Sequence, residues 1–177
     1  MPIQKMEDII REVLTGDAQK NALEFAMHLR KNGMTFEKAQ NGYWKDKPYW
    51  HIKYRDQYVC FVFVHGSPVK YVDEPEGWTI WTDDSESNWF SDYPLDEPMK
   101  QVAWNHVDVC GNCTPGGPCA GGTRKTIFGK DFDHVCRTTM VFINPDLKAL
   151  ACLKKLVEIR KEDILSKSEC FRQDTLL

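Results

Sequence analysis

Residues 107 to 137, VDVCGNCTPGGPCAGGTRKTIFGKDFDHVCR, constrain this chain more than any other stretch. Cys110, Cys113, Cys119 and Cys136 fall here, the first three within ten residues rich in glycine and proline. A segment of that composition has no apolar period from which to build a core. Clustered thiols point to a metal ion as the element that holds it. Cys110-Gly-Asn-Cys113 is a C-x-x-C pair, and Gly111 permits the tight turn that lets two thiolates grip one ion. Zinc takes four ligands in a tetrahedron, with sulfur at ~2.3 Å. The full spacing, C-x2-C-x5-C-x16-C, matches no standard finger. His134, two residues before Cys136, and His106 are alternative ligands. Arg124, Lys125, Lys130 and Arg137 lie near in sequence to offset thiolate charge.

Other readings of the segment are an iron–sulfur cluster, a redox dithiol at Cys110 and Cys113, or unligated thiols. A thioredoxin-type C-x-x-C opens a helix after a strand. Here glycine and proline follow it instead. Four protein ligands make a closed structural zinc site, whereas three leave a position for a catalytic water. The glycines before Thr123-Arg124-Lys125 do not form a P-loop, which needs lysine directly after glycine and then Ser or Thr. Cys60 and Cys152 read as small buried hydrophobes, and Cys170 as an exposed thiol.

The remainder is expected to form one α+β domain over residues 1–165, with 107–137 as a Cys-rich insert. Met6, Ile9, Ile10, Val13 and Leu14 recur at helical spacing, followed by Ala18, Ala22, Phe25, Ala26 and Leu29 in a second helix closed by Gly33. The period then changes from 3.6 to 2. Asn41-Gly42 signals a hairpin. Tyr49 to Tyr54 alternates, and Tyr58 to Val64 is nearly all apolar, as in a central strand. A further strand is expected at Trp78–Trp81, and a loop at 85–95. A short helix covers about 96–106, and a last strand Thr138–Ile143. Asn144-Pro145-Asp146 starts a long final helix ending near Leu165. Residues 166–177 read as a loose tail. The expectation is an antiparallel sheet of four to five strands, two N-terminal helices and a long C-terminal helix.

Tyrosine and tryptophan are dense in the strand region. Their plainest role is core filling. The sharper reading is a ligand cleft, with Tyr49, Trp50, His51, Trp78, Trp81 and Trp89 as candidate binding residues. Alternation places Tyr49 and His51 on the sheet face opposite Trp50 and Ile52. Cys60 with His51 or His65 is a conceivable nucleophile–base pair, although no spacing enforces contact. No G-x-S-x-G, H-E-x-x-H or kinase signature occurs.

A net charge of −3 supplies no global positive field for nucleic acid. No stretch reaches the ~20 apolar residues of a membrane span, and the first residues lack the apolar run of a signal peptide. Seven cysteines, an odd number, suit a reducing compartment, so a cytoplasmic location is expected.

The stretch GTRKTIFGKDFDHVCRTTMVFINPD resembles a family of uncharacterised small bacterial proteins of the Firmicutes type. These carry a Cys/Gly segment, a GK-x-F-x-x-VC stretch, a strand and an NPD-capped helix. YWHIKYRDQYVCFVFV followed by GWTIW is similar to YdhG-like helix-and-sheet domains, from which the cysteine insert departs. The resemblance implies an α+β domain and brings no catalytic residues. The sequence leads to a cytoplasmic, zinc-stabilised module that binds a small ligand or a protein partner. The alternatives are an enzyme using the aromatic cleft or an open zinc position, and a thiol redox sensor.

Overall fold

The computed structural model describes residues 5–40, 47–64, 77–82, 89–111 and 121–174, the side chains of Asp92 and 169–174 excepted. The elements are α1 (Met6–Val13), α2 (Gly16–Lys31), β1 (Thr35–Lys38), β2 (Tyr49–Tyr54), β3 (Gln57–Val64), β4 (Trp78–Thr82), α3 (Trp89–Asp92), α4 (Glu97–Asn105), β5 (Val107–Val109), β6 (Thr123–Ile127), β7 (Lys130–Ile143) and α5 (Leu147–Asp174). The fold is α+β, with one antiparallel sheet of seven strands. The strand order is β1-β2-β3-β4-β7-β5, and β6 also pairs with β7.

Five of these strands are those the sequence leads to. The two additional ones, β5 and β6, arise inside 107–137. Their V-D-V and T-R-K-T-I patterns are too short and polar to read as strands alone. They exist because β7 is 14 residues long, beginning at Lys130 rather than Thr138, and offers a template to pair on. The expected loop at 85–95 contains α3, a single turn that carries buried Trp89 and Phe90.

Two hairpins close with two-residue turns. Arg55 and Asp56 have φ of 48° and 62°, and Phe128 and Gly129 have 48° and 84°. Left-handed backbone at both central positions matches the twist of the flanking strands. The Asn41-Gly42 turn lies outside the described residues. Gly33, at φ 76°, closes α2 as its sequence position implies.

The sheet sorts its side chains by alternation, broken at one bulge between β2 and β3. Trp50, Ile52, Cys60, Val62, Val64, Trp78, Ile80 and Phe142 join α1, α2 and α5 in the main core. A bulge between Ile52 and Lys53 of β2 leaves Val59 of β3 unpaired, so Val59 and Cys60 both reach that core.

Asp96 caps α4, accepting from the Met99 N–H at 2.8 Å. At α5 the cap is Asp146, whose Oδ1 accepts from Ala149 N–H at 2.8 Å. Asn144, at φ 43°, instead ties the strand end to β4, accepting from Trp78 N–H at 2.9 Å. The final helix does not stop near Leu165. It continues to Asp174, because nothing in 166–174 breaks it, and Ser166 and Ser168 bond back to the carbonyls of Asp163 and Ile164. The tail expected at 166–177 is thus helical over its described part. No helix among the described residues is long and apolar enough to cross a membrane.

Candidate functional site

The described ends of the Cys-rich segment, 107–111 and 121–137, meet at the junction of β5, β6 and β7. Val109 pairs with Val135, and the Cys110 N–H donates to the His134 carbonyl at 2.7 Å. The register shifts between Val107, which pairs with Met140, and Val109, so Asp108 sits at an irregularity of this strand pair. The Cys136 thiol hydrogen-bonds to the Asp108 carboxylate. The Thr138 hydroxyl lies 3.4 Å from Asp108 Oδ2 and 3.7 Å from Cys136 Sγ.

Burial pushes the Asp108 carboxyl up, and the hydrogen bonds from Cys136 and Thr138 only partly oppose it. Burial likewise pushes the Cys136 thiol up, reinforced by the negative charge of Asp108. No cation figures among the influences on Asp108. The Lys125 ammonium donates to the carbonyls of Cys136 and Arg137 at 3.1 and 3.0 Å and to the Thr139 hydroxyl at 2.6 Å. Arg124 is held by Asp131 at 2.7 Å. Lys130 lies 5.1 Å over both the Trp104 and Phe132 rings.

Gly122 closes the base of the intervening segment. A Cβ at this position would meet the His134 carbonyl carbon and oxygen at 2.4 Å and the Cys110 Cβ at 2.7 Å. Only glycine allows that approach. Residues 110 and 122 therefore touch. Cys113 and Cys119 lie between them, outside the described residues.

The two alternative histidines are placed differently. His134 is exposed, on left-handed backbone at φ 55°. His106 turns inward: its ring stacks on Phe142 at 4.3 Å, and its Nδ1–H donates to the Val102 carbonyl at 2.8 Å. Among the described residues, no three His, Cys, Asp or Glu side chains converge closely enough to hold an ion. A metal centre would need donors from 112–120.

The candidate ligand residues divide between the two sheet faces. Trp50, Trp78 and Trp89 are at most 2 % exposed and belong to the main core. Burying such rings favours folding by several kcal/mol in all, which is sufficient reason for their presence. Tyr49, His51 and Trp81 share the opposite face. Register sets Glu37, His51, Phe61, Trp81 and Val141 in one row across five strands. The next row is Tyr49, Phe63, Thr79 and Ile143.

His51 meets Tyr49, Tyr58 and Phe61 edge-on, with centroids 5.4 to 5.5 Å apart. Tyr49 stacks on Phe61 at 6.1 Å. At the open end Lys53 lies 4.9 Å over the Tyr58 ring and pairs with Glu37. Thr79 is fully buried in this face, and its hydroxyl has no hydrogen-bond partner. Phe61 and Phe63 escape sequence reasoning because an all-apolar strand does not reveal which residues face which layer.

Cys60 and His51 cannot act together. Cys60 pairs with Ile52 and faces the helices, whereas His51 pairs with Phe61 on the other face. His65 lies outside the described residues. Cys152 is sealed in the core, its thiol pushed up to about 12 chiefly by burial.

Asp108 is the other residue that sequence reasoning passes over. The available signal is a charged residue between two valines, two positions before Cys110. No protein-family model, curated protein or solved structure matches this chain.

Proposed function

We propose that this chain is a cytoplasmic binding module, whose β5–β7 junction is locked by a structural zinc ion and whose aromatic sheet face receives a small ligand or a segment of a partner protein. The thiolates come from Cys110, Cys113, Cys119 and Cys136. The observation that carries the reading is the contact of Gly122 with Cys110 and His134. It brings the two ends of the segment together, with Cys113 three residues after Cys110 and Cys119 three before Gly122 in sequence. Covalent geometry limits each to about 11 Å from its anchor. Loop thiols tethered so closely to a strand thiol suit a four-ligand ion. Such an ion would fasten β5 and β6 to β7 and add its binding energy to the stability of the fold.

The ligand part of the reading is supported by the row His51, Phe61 and Trp81 beside the partnerless Thr79 hydroxyl. Pockets combine apolar walls with a few polar groups that fix orientation.

The test is metal content of the full chain, purified without added metal. About one zinc per chain is expected, retained through mild chelation and lost in Cys113→Ser and Cys119→Ser. A metal-free chain with a readily oxidised Cys110–Cys113 pair would contradict the zinc reading and leave the thiol redox sensor in its place.

A further inference from the structure

We infer that the cleft between the start of α2 and the turn into α5 is a second binding site, suited to a free α-amino acid with an apolar side chain. It is separate from both the zinc junction and the aromatic sheet face. The cleft encloses about 360 Å³, within the range of small-molecule sites. Asp17, Ala18, Lys20 and Asn21 of α2 form one wall, and the turn 144–147 forms the other.

Asn21 marks the site. It is only 6 % exposed, and buried amides are hydrogen-bonded as a rule. Its Nδ2–H donates to the Pro145 carbonyl at 3.1 Å. That carbonyl can only accept, which settles the two ends of the amide. The Asn21 Oδ1 receives no donor from the described residues, yet it is not among the side-chain atoms sealed from solvent. It opens on the cleft that Asn21 lines.

Asp17 stands one helical turn before Asn21, so their Cβ atoms lie about 5–6 Å apart on one face. Asp146 lines the opposite wall. Its Oδ1 caps α5 at the Ala149 N–H, which leaves Oδ2. Asn21 Oδ1, the Asp17 carboxylate and Asp146 Oδ2 are three acceptors around one cleft. An ammonium group brings three N–H donors and a charge that carboxylates welcome.

The rest of the wall asks for the opposite charge. Lys20 lines the same cleft, and Glu24, the acid one turn on, takes its hydrogen bond from Lys154. The Thr15 side chain does not cap α2, and the N–H groups of Asp17 and Ala18 have no acceptor among the described residues. A plain cation would face Lys20 and the positive end of α2. A carboxylate on the same ligand turns both into partners. Ala18, Pro145 and Leu147, the last 66 % exposed, offer apolar surface to a side chain.

The experiment titrates the full chain, as purified, with L-leucine. Calorimetry and the Asn21 side-chain amide resonance are followed together. Saturable binding at ~1 mM or tighter is expected, with that resonance shifted. Isocaproate, which lacks the ammonium, and L-leucinamide, which lacks the carboxylate, should each bind at least ~10-fold more weakly. Asp17→Asn, at an exposed position that does not endanger the fold, should weaken L-leucine at least ~10-fold. Lys20→Met should weaken L-leucine and leave L-leucinamide unaffected. No saturable binding of L-leucine would overturn the inference. So would isocaproate or L-leucinamide binding as tightly as L-leucine, or binding that leaves the Asn21 resonance unmoved and is unchanged in Asp17→Asn. The zinc content of the chain is independent of each of these outcomes.

Discussion

Gly122 rests directly on Cys110. The hypothetical Cβ of Gly122 falls 2.7 Å from the Cys110 Cβ and 2.4 Å from the His134 carbonyl. Backbone blocks it on one side, so no rotamer change relieves the clash. Gly122→Ala is therefore expected to cost about 1–3 kcal/mol in stability, the usual range for overpacking. It should also weaken zinc binding, because it forces the loop base apart. Urea unfolding with and without zinc reads both effects. An unchanged midpoint would mean that 110 and 122 are not in contact.

Thr79 offers the opposite sign. Its hydroxyl is buried between Phe63 and Ile143 with nothing to bond. Thr79→Val removes that desolvation penalty at nearly constant volume and is expected to stabilise by about 1 kcal/mol. If the hydroxyl instead anchors a ligand, any ligand found to shift the wild-type melting temperature should shift that of Thr79→Val less.

Arg160 and Asp163 form an ion pair on α5 in which both side chains are at most 4 % exposed. Arg160 Nε–H also donates to the Tyr58 carbonyl at 3.1 Å, joining α5 to β3. Asp163→Ala removes the carboxylate beside a buried guanidinium and is expected to cost about 3–5 kcal/mol. The double variant Arg160→Met, Asp163→Leu should cost less than Asp163→Ala alone. Chemical denaturation of the three proteins decides this.

Most of the helical layer and the first four strands can be read from the sequence. The change of apolar period near residue 34 separates the elements, and Gly33 and Asp96 mark real ends. The β5–β7 junction is less legible for a physical reason. V-D-V and T-R-K-T-I become strands only through non-local pairing with β7, whose own first half, KDFDHVC, is too polar to suggest a long strand. Asp108 is hidden by the same cause, since its partner Cys136 is distant in the chain. The aromatic residues reveal their face only where alternation is clear. Tyr49 and His51 separate from Trp50 on sequence grounds, but Trp78 and Trp89 need the packing of the helices to place them in the core.

His28 sets a pH dependence. It lies between α2 and α5, 3.8 Å from Glu158 and bonded to Asn32. Burial holds its imidazole below the ordinary 6.5, and Glu158 only partly opposes this. The unfolded chain thus takes up the proton first as pH falls. The stability is fully present above 6.5 and is lost as pH drops through the folded-state value. Unfolding midpoints between about pH 7.5 and 5.5 should decline in the wild type, and less in His28→Gln. Equal slopes would show that His28 is not the group responsible.

X-ray absorption at the zinc edge, on the full chain as purified, tests the central claim most directly. A closed site holding the four thiolates predicts a first shell of sulfur alone at ~2.3 Å. Absence of zinc, or a first shell of nitrogen and oxygen alone, would contradict the account.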